Sequence, residues 1–177
     1  MHNEMKAAGL PLLPQQIAIG QSSLERTAPE LPCVVKIGNH HAGYGKARAA
    51  DPDAFADLRD LAFAADDYIT LEPFIPYRSD IRCLAIGSSL WAMKRKGAGW
   101  KANTQTIEAT LIDRPPDVLA DYTRKAMHHL GADILGLDFI EDQDGHYWLL
   151  ECNDTPGLSG FPEETTYAVA DALIQKL

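Results

Sequence analysis

The stretch Gly136 to Asn153, GLDFIEDQDGHYWLLECN, decides the fold because it predicts a β-hairpin that carries oxygen-bearing side chains among apolar neighbours. Its turn is the segment Asp142-Gln143-Asp144-Gly145. This composition is a strong hairpin signal, since the glycine accepts a positive φ. The residues on both sides of the turn are therefore expected to form two antiparallel strands.

A symmetric loop would fix the pairing of this hairpin. It predicts three cross-strand pairs: Glu141 with His146, Asp138 with Leu149, and Gly136 with Glu151. Side chains alternate along a strand, so Asp138, Glu151 and Asn153 are expected to share one face. The opposite face is the better core face and carries the apolar side chains of Leu137, Phe139, Trp148, Leu150 and Cys152. A slip of one residue would send Asp138 to that opposite face.

Two carboxylates and an amide on one side of a buried-looking sheet need a partner. Burying carboxylates alone is costly, and a hard cation such as Mg²⁺ binds oxygen ligands of this kind. The alternative is a hairpin whose acidic side chains simply meet solvent. For the combination of Asp138, Glu151 and Asn153 we favour a metal site.

Composition limits the classes of function. The 177 residues suffice for one well-packed domain or for two small lobes that share a cleft. The net charge of −9, from 16 basic and 25 acidic residues, argues against generic binding to nucleic acid or to an anionic membrane. Cys33, Cys83 and Cys152 form no disulfide or zinc pattern, and no apolar run is long enough to cross a bilayer. A cytoplasmic protein is expected.

Hydrophobic periodicity and turn signals predict an alternation of helices and short strands. The segments predicted are a helix over 1–8, a strand over 31–37, a return strand over 46–49, a helix opening at Asp51-Pro52, a strand over 68–71, a hairpin of 80–86 with 90–95, a strand over 106–112, a helix over 115–130, the hairpin of 136–153 and a final helix from about 163. The Pro-stiffened connector Glu72-Pro73-Phe74-Ile75-Pro76 is the predicted boundary between two lobes, 1–73 and 74–177. The expected fold class is α+β.

Lys36 ends an apolar strand and precedes a glycine-spaced loop from Gly38 to Gly45. Glycines allow backbone amides to approach phosphate oxygens, and a neighbouring lysine neutralises charge. The loop is not a Walker A motif, because Tyr44 stands where Lys-Ser/Thr would follow. Many hairpins contain glycines, so a phosphate site needs support from residues outside the loop.

Asp80 and Arg82 alternate along one predicted strand and therefore share a face, and Arg95 at a strand end could reach the same region. The plain interpretation is a surface salt bridge of little energetic worth. Beside a carboxylate–magnesium site, two arginines suit the recognition of a phosphoryl group, because a guanidinium group binds phosphate bidentately.

A lysine on a strand, a glycine flap, a stiff connector, an arginine on a hairpin and an Asp…Glu-x-Asn set follow one another along the chain, and in this order they resemble the ATP-grasp superfamily. The segments PCVVKIGNHHAGYGKARA and GWKANTQ are similar to synapsins. SDIRCLAIG and LLECNDTPGLSG are similar to the ligases that add glutamate to a ribosomal protein. The resemblance covers nearly the whole chain and implies an ATP-grasp fold, with two α+β lobes whose antiparallel sheets enclose the nucleotide.

The resemblance also implies roles for individual residues. Lys36 would contact the α-phosphate, and the flap residues Gly43, Tyr44 and Gly45 would close over the β- and γ-phosphates. The backbone of Glu72, Pro73, Phe74 and Ile75 would read the adenine edge, and Asp80 would hold the ribose. Arg82 and Arg95 would stabilise charge on the transferred phosphoryl group. Asp138, Glu151 and Asn153 would bind two Mg²⁺ ions, or Mn²⁺ in their place.

Two functions remain open on this basis. The first is an ATP- and Mg²⁺-dependent carboxylate–amine (or carboxylate–thiol) ligase that acts through an acyl phosphate on small-molecule or peptide substrates. The second is a synapsin-like regulatory module that binds ATP without ligase turnover. The family usually carries an N-terminal α/β domain that has no counterpart here, so the sequence is expected to be a fragment or an unusual minimal member. The sequence leaves the oligomeric state open, a homo-oligomer included.

Overall fold

A computed structural model describes residues 2–38, 44–65, 68–101 and 106–175. The chain divides into two compact units, one formed by Leu13–Pro76 and the other by Met1–Leu12 together with Tyr77–Leu177. We call them the four-stranded unit and the five-stranded unit after their sheets. Both sheets are antiparallel and carry helices, which confirms the predicted α+β class. No helix in the described ranges has the length and apolar character needed to cross a membrane.

The four-stranded unit contains β1 (Gln16–Ile19), α2 (Gln21–Glu25), β2 (Cys33–Ile37), β3 (Lys46–Ala49), α3 (Pro52–Ala65) and β4 (Tyr68–Pro73), with strand order β1-β4-β2-β3. Alternation along the strands buries Val35, Ile69 and Leu71 in a core with Phe55 of α3. The backbone N–H of Ala54 donates to Oδ1 of Asp51 at 2.8 Å, so the predicted helix start at Asp51-Pro52 is confirmed. Lys36 and Glu72 lie on the sheet face opposite this core.

The five-stranded unit contains α1 (His2–Ala7), β5 (Tyr77–Ile86), β6 (Ser89–Gly97), β7 (Thr106–Ile112), α4 (Asp117–Leu130), β8 (Ile134–Asp142), β9 (Tyr147–Asn153) and α5 (Glu164–Ile174). Its strand order is β7-β6-β5-β8-β9. One face of the sheet packs on α4 through a core that includes Cys83, Leu119, Ala126, Leu137 and Phe139. The helix ends at Gly131, whose φ of +61° is easily adopted by glycine.

The first residues of the chain belong to the five-stranded unit, which corrects the predicted lobe limits of 1–73 and 74–177. Met5 and Leu10 are buried in the core of the five-stranded unit. The backbone N–H of Leu149 donates to the carbonyl of Pro11 at 2.8 Å, and Leu12 forms a parallel bridge with Leu149. The second boundary falls after Pro76, at the end of the predicted connector. Apolar residues before the first strand gave no sign of which unit would bury them.

The hairpin of β8 and β9 forms, but its register differs from the symmetric one. Glu141 pairs with Tyr147 next to the turn, and Asp138 pairs with Glu151 and not with Leu149. A β-bulge lies between these two pairs, at Leu150. The one-residue shift at the turn places Leu149 opposite Phe139 on the core face, and Leu150 in the bulge is exposed, so the predicted core positions of Trp148 and Leu150 are wrong. Asp138, Glu151 and Asn153 nevertheless share one face, as predicted.

Candidate functional site

One face of the five-stranded sheet carries a group of charged and polar side chains. Four strands supply them: Asp80 and Arg82 from β5, Arg95 from β6, Asp138 from β8, and Glu151 and Asn153 from β9. The register places Asp80 opposite Arg95, and it places Asp138 between Arg82 and Glu151. Neighbouring strands lie about 5 Å apart, so these side chains form one cluster. The structure thus brings together all predicted site residues of β5, β6, β8 and β9.

Arg82 and Asp138 form a bidentate ion pair. Nε of Arg82 donates to Oδ1 and Nη2 donates to Oδ2 of Asp138, each at 2.7 Å. The side chain of Asp138 is 4% exposed and that of Arg82 is 21% exposed. The hydrogen bond to Asp138 is the largest influence on the pKa of Arg82, which is raised above its ordinary value. The pair therefore holds one guanidinium group in a fixed orientation on this face.

Arg95 links the carboxylate of Asp80 to the carboxylate of Asp138. Nε of Arg95 donates to Oδ1 of Asp80 at 2.6 Å, and its Nη2 lies 2.5 Å from the same oxygen and 3.3 Å from Oδ1 of Asp138. Both Arg95 and Asp80 are buried. Burial raises the pKa of Asp80 to about 6, although the charge of Arg95 opposes the shift. Asp80 is thus engaged by Arg95, and its predicted contact with a ribose stays a prediction.

Glu151 and Asn153 extend the cluster to the edge strand. Glu151 stands directly opposite Asp138, and its charge contributes to the raised pKa of Arg82. Asp138, Glu151 and Asn153 offer two carboxylates and an amide oxygen on one face, which is a donor set that suits Mg²⁺. Arg82 uses both oxygens of Asp138 and Arg95 also approaches Oδ1, but Oδ2 retains a second acceptor site for a cation. The residues present therefore fit a divalent cation.

A second group of metal-binding side chain types lies at the hairpin turn. Asp142, Asp144 and His146 bring their ligand atoms within 4.8 Å of one another. Oδ1 of Asp142 already accepts from the backbone N–H groups of Asp144 and His146, at 3.0 and 2.8 Å. Nε1 of Trp148 donates to Oδ2 of Asp142 at 2.9 Å. These contacts close the turn, so Asp142 serves the hairpin.

The four-stranded unit carries an ion pair of its own. Nζ of Lys36 donates to Oε1 of Glu72 at 2.6 Å, and Nε2 of Gln15 donates to the same oxygen at 2.9 Å. Lys46 stands directly opposite Lys36 in the sheet. Sequence reasoning considered the backbone of Glu72 and missed both its side chain and Gln15, because residues far apart in sequence give no spacing signal. A lysine held by a buried carboxylate on the sheet face opposite the core is suited to an anionic ligand.

The flap and the connector are described in part. Gly43 lies outside the described residues. The side chain of Tyr44 is exposed, and the carbonyl of Gly45, whose φ is +65°, accepts from the N–H of Ile37 at 2.8 Å. In the connector, the N–H of Phe74 donates to the carbonyl of Pro32 at 2.9 Å. The roles of Tyr44, Gly45 and the segment Glu72 to Ile75 in nucleotide binding remain predictions.

The raised pKa of Asp80 gives a prediction about stability. The folded chain keeps a proton on Asp80 up to about pH 6, whereas an unfolded chain releases it near the ordinary value of 3.8. The folded state binds more protons in this window, so the contribution of Asp80 to the free energy of unfolding falls as the pH rises from about 4 to about 6. The slope is at most about 1.4 kcal/mol per pH unit.

The measurement compares the wild type with Asp80→Asn, which cannot titrate. Urea unfolding between pH 4 and pH 7 is followed by tryptophan fluorescence. We expect the free energy of unfolding of the wild type, minus that of the variant, to decrease up to about pH 6 and then to level off. A difference that stays constant over this range would contradict a raised pKa of Asp80 in the folded chain.

The fold matches that of a protein whose structure has been solved. The solved structure of the ATP-grasp ligase PsnB, complexed with a precursor peptide and AMPPNP, superposes with a TM-score of 0.72 over 98% of this chain and 57% of that chain, at 18% identity. At this identity the comparison shows the fold alone. The chain thus has the ATP-grasp fold, which confirms the prediction made from the order of its motifs.

A comparison with protein families identifies the chain more closely. The family described as "Synapsin, ATP binding domain" matches residues 2–177, so the chain belongs to this family. A probable alpha-L-glutamate ligase of Syntrophotalea carbinolica is 30% identical over 150 residues, which are 81% of this chain and 49% of the relative. The ribosomal protein bS6–L-glutamate ligase of Salmonella paratyphi B is 28% identical over 163 residues, 87% of this chain and 53% of the relative. The chain spans about half the length of these two relatives.

Proposed function

We propose that the chain is the ATP-binding part of a carboxylate–amine ligase. The observation that carries the proposal is the cluster on the five-stranded sheet, in which two arginines are fixed by Asp80 and Asp138 beside Glu151. Fixed cations suit the stabilisation of charge on a phosphoryl group during transfer. The similarity to two glutamate ligases supports the same reaction class.

The proposed reaction has two balanced steps. A carboxylate oxygen of the substrate attacks the γ-phosphorus of ATP, the bond to the β,γ-bridging oxygen breaks, and an acyl phosphate and ADP form. An amine then attacks the acyl carbon, phosphate leaves with the C–O bonding electrons, and the amine loses a proton as the amide forms. A thiol acceptor would follow the same course. We propose a small molecule or a peptide as the carboxylate substrate, and glutamate as the first candidate for ligation.

Each unit contributes its own residues to this proposal. In the four-stranded unit, Lys36 binds a phosphate oxygen, and its hydrogen bond to Glu72 holds the ammonium group on the sheet face opposite the core. In the five-stranded unit, Nη1 of Arg82 is the guanidinium nitrogen that the pair with Asp138 does not use, so it can donate to the phosphoryl group. Gly43, Tyr44 and Gly45 are proposed as the flap over the phosphates, and residues 72–75 as the segment that contacts the base.

Asp138, Glu151 and Asn153 are the residues that would hold Mg²⁺, one or two ions, or Mn²⁺. A bound divalent ion supplies charge neutralisation to the phosphates.

The three cysteines are free and buried, which agrees with the proposed cytoplasmic location.

The second candidate function is an ATP-binding regulatory module without ligase turnover. It is favoured by the match of almost the whole chain to the synapsin ATP-binding family. The two functions differ in one measurement, the release of phosphate from Mg·ATP on addition of a carboxylate together with an amine. Stimulated release supports the ligase, whereas nucleotide binding without stimulated release supports the regulatory module.

Binding of nucleotide with Mg²⁺ should raise the melting temperature. The physical reason is linkage, which amounts to about 2.7 kcal/mol at a ligand concentration of 100 times Kd. In Glu151→Gln we expect the part of the shift that depends on Mg²⁺ to disappear, because one oxygen ligand loses its charge. Differential scanning fluorimetry with ATP or ADP, with Mg²⁺ or with EDTA, measures both effects.

The matched control is Glu141→Gln, since Glu141 lies in the same hairpin but on the other face, where it pairs with Arg78. Its Mg²⁺-dependent shift should equal that of the wild type. The absence of a shift with any purine nucleotide would count against the proposed function. Equal Mg²⁺ titrations for Glu151→Gln and the wild type would count against the metal site.

A further inference from the structure

The segment that follows β9, residues 154–163, returns across the face of the five-stranded sheet that carries the ionic cluster. Three contacts fix its course: Pro156 on Gly136 of β8, Gly160 on Met93 and Ala109 of β6 and β7, and the start of α5, where Nε1 of Trp91 donates to Oε1 of Glu164 at 3.1 Å. We call residues 154–163 the returning segment. It runs from the edge strand β9 to the opposite edge strand β7.

Gly136 leaves room for this segment where a side chain would not. A Cβ atom at position 136 would lie 2.6 Å from Cβ of Pro156, 3.4 Å from its Cγ and 3.8 Å from its Cα. A proline ring cannot rotate away, because its Cβ is tied into the backbone. The φ angle of Gly136 lies outside the left-handed region that favours glycine, so its backbone conformation suits any residue. The glycine is therefore required for space, and not for conformation.

Pro156 packs on Gly136 next to the proposed metal site. Gly136 pairs directly with Asn153, and Asp138 follows on the same face of β8. The chain from Asn153 to Pro156 is short, so a displacement of Pro156 must be taken up close to Asn153. At the other end of the returning segment, Gly160 rests on Met93, which pairs with Arg82. Both glycine contacts therefore border the ionic cluster.

We propose that Gly136 is a positioning residue: the space above it seats Pro156, and this contact fixes Asn153 beside Asp138 and Glu151. The inference rests on the proposed function, because it assigns Asn153 a part in binding a divalent cation. Gly136 acts through Pro156 and Asn153 and touches no ligand itself. The returning segment in this account is a backbone support that holds the amide oxygen of Asn153 in place.

The test adds side-chain volume at position 136 and removes it at position 156. Gly136→Ala adds the atom that collides with Pro156, Pro156→Gly removes the ring, and the double variant does both. We expect Gly136→Ala to weaken the apparent affinity for Mg²⁺ in the presence of ADP at least tenfold, and the double variant to regain most of this loss. Gly157→Ala is the matched control, because a Cβ there meets nothing within 4 Å and its φ is ordinary. Its Mg²⁺ affinity should stay within twofold of the wild type.

Hydrogen exchange without nucleotide separates this inference from the proposed function. Gly136→Ala should raise the exchange of the backbone amides of Phe161 and Thr165, which donate to carbonyls of the returning segment, at least tenfold, and the double variant should reverse the change. If the wild type binds no nucleotide, the proposed function fails. If the exchange pattern is the expected one but the Mg²⁺ affinity of Gly136→Ala equals that of Gly157→Ala, the positioning role fails and the function stands.

A structural role alone would lower the melting temperature of Gly136→Ala without moving its Mg²⁺ midpoint, and that outcome overturns the inference. If Gly136→Ala does not fold, the double variant decides. A folded double variant with Mg²⁺ affinity near that of the wild type supports the volume argument. A double variant that does not fold, or that folds without regaining Mg²⁺ affinity, contradicts it.

Discussion

Replacing Asp138 by asparagine is expected to lower the free energy of unfolding of the five-stranded unit by about 3–5 kcal/mol, because it leaves buried positive charge without its partner. Asp138 accepts two hydrogen bonds from Arg82 and lies 3.3 Å from Nη2 of the buried Arg95. Asparagine keeps the shape and loses the charge. Urea unfolding followed by tryptophan fluorescence reports on this unit, since Trp91, Trp100 and Trp148 all belong to it.

Glu141→Gln is the control for this prediction. Glu141 lies on the same strand and also pairs with an arginine, at 2.6 Å, but the side chain of its partner Arg78 is 50% exposed. Such a pair contributes about 0–1 kcal/mol. Equal losses for Asp138→Asn and Glu141→Gln would contradict the burial of the first pair. Replacing both Arg82 and Asp138 by apolar residues should cost less than replacing Asp138 alone.

Replacing Arg82 by methionine is expected to lower kcat of the proposed ligase reaction by about 100–1,000-fold, the usual effect of losing one donor that stabilises transition-state charge. Methionine preserves much of the side-chain length and removes the guanidinium group. Arg82→Lys should recover a small part of the loss, because an ammonium group keeps the charge without the fork that matches a phosphoryl group. Phosphate release from Mg·ATP, measured in single-turnover reactions, reports the effect on the chemical step.

Arg78→Met is the matched control, since Arg78 lies on the same strand but binds Glu141 on the other face. We expect its rate to stay within threefold of that of the wild type. Circular dichroism spectra establish that each variant is folded at the temperature of the measurement. Equal rates for Arg82→Met and Arg78→Met would remove Arg82 from the catalytic residues and leave nucleotide binding untouched.

The sequence predicted the face of the hairpin better than its register. The observed pairing of Glu141 with Tyr147 is one residue away from the predicted one, and such a slip alone would have turned Glu151 to the core face. The bulge at Leu150 adds a second shift of one residue, so the alternation returns to the predicted face beyond it. A bulge depends on packing with neighbouring strands and left no turn signal in the sequence.

Local patterns could not predict the ionic partners. Asp80 and Arg82 were paired in the simplest interpretation because they are close in sequence, yet each binds a residue of another strand. Neighbouring side chains on one strand face point in parallel, whereas cross-strand neighbours can meet at hydrogen-bonding distance. Strand order decides these contacts, and it was not available from spacing. The order of motifs along the chain was sufficient to predict the ATP-grasp fold.

The assignment of the first residues to the five-stranded unit has a consequence for how the protein is made. A chain that emerges from the ribosome presents Leu12 long before its bridge partner Leu149 has been synthesised. The contiguous unit Leu13–Pro76 is complete while Met5, Leu10 and Leu12 still lack the core that buries them. The bridge between Leu12 and Leu149 therefore joins residues that are far apart in sequence, and it forms late. Until it forms, these apolar side chains stay exposed during translation.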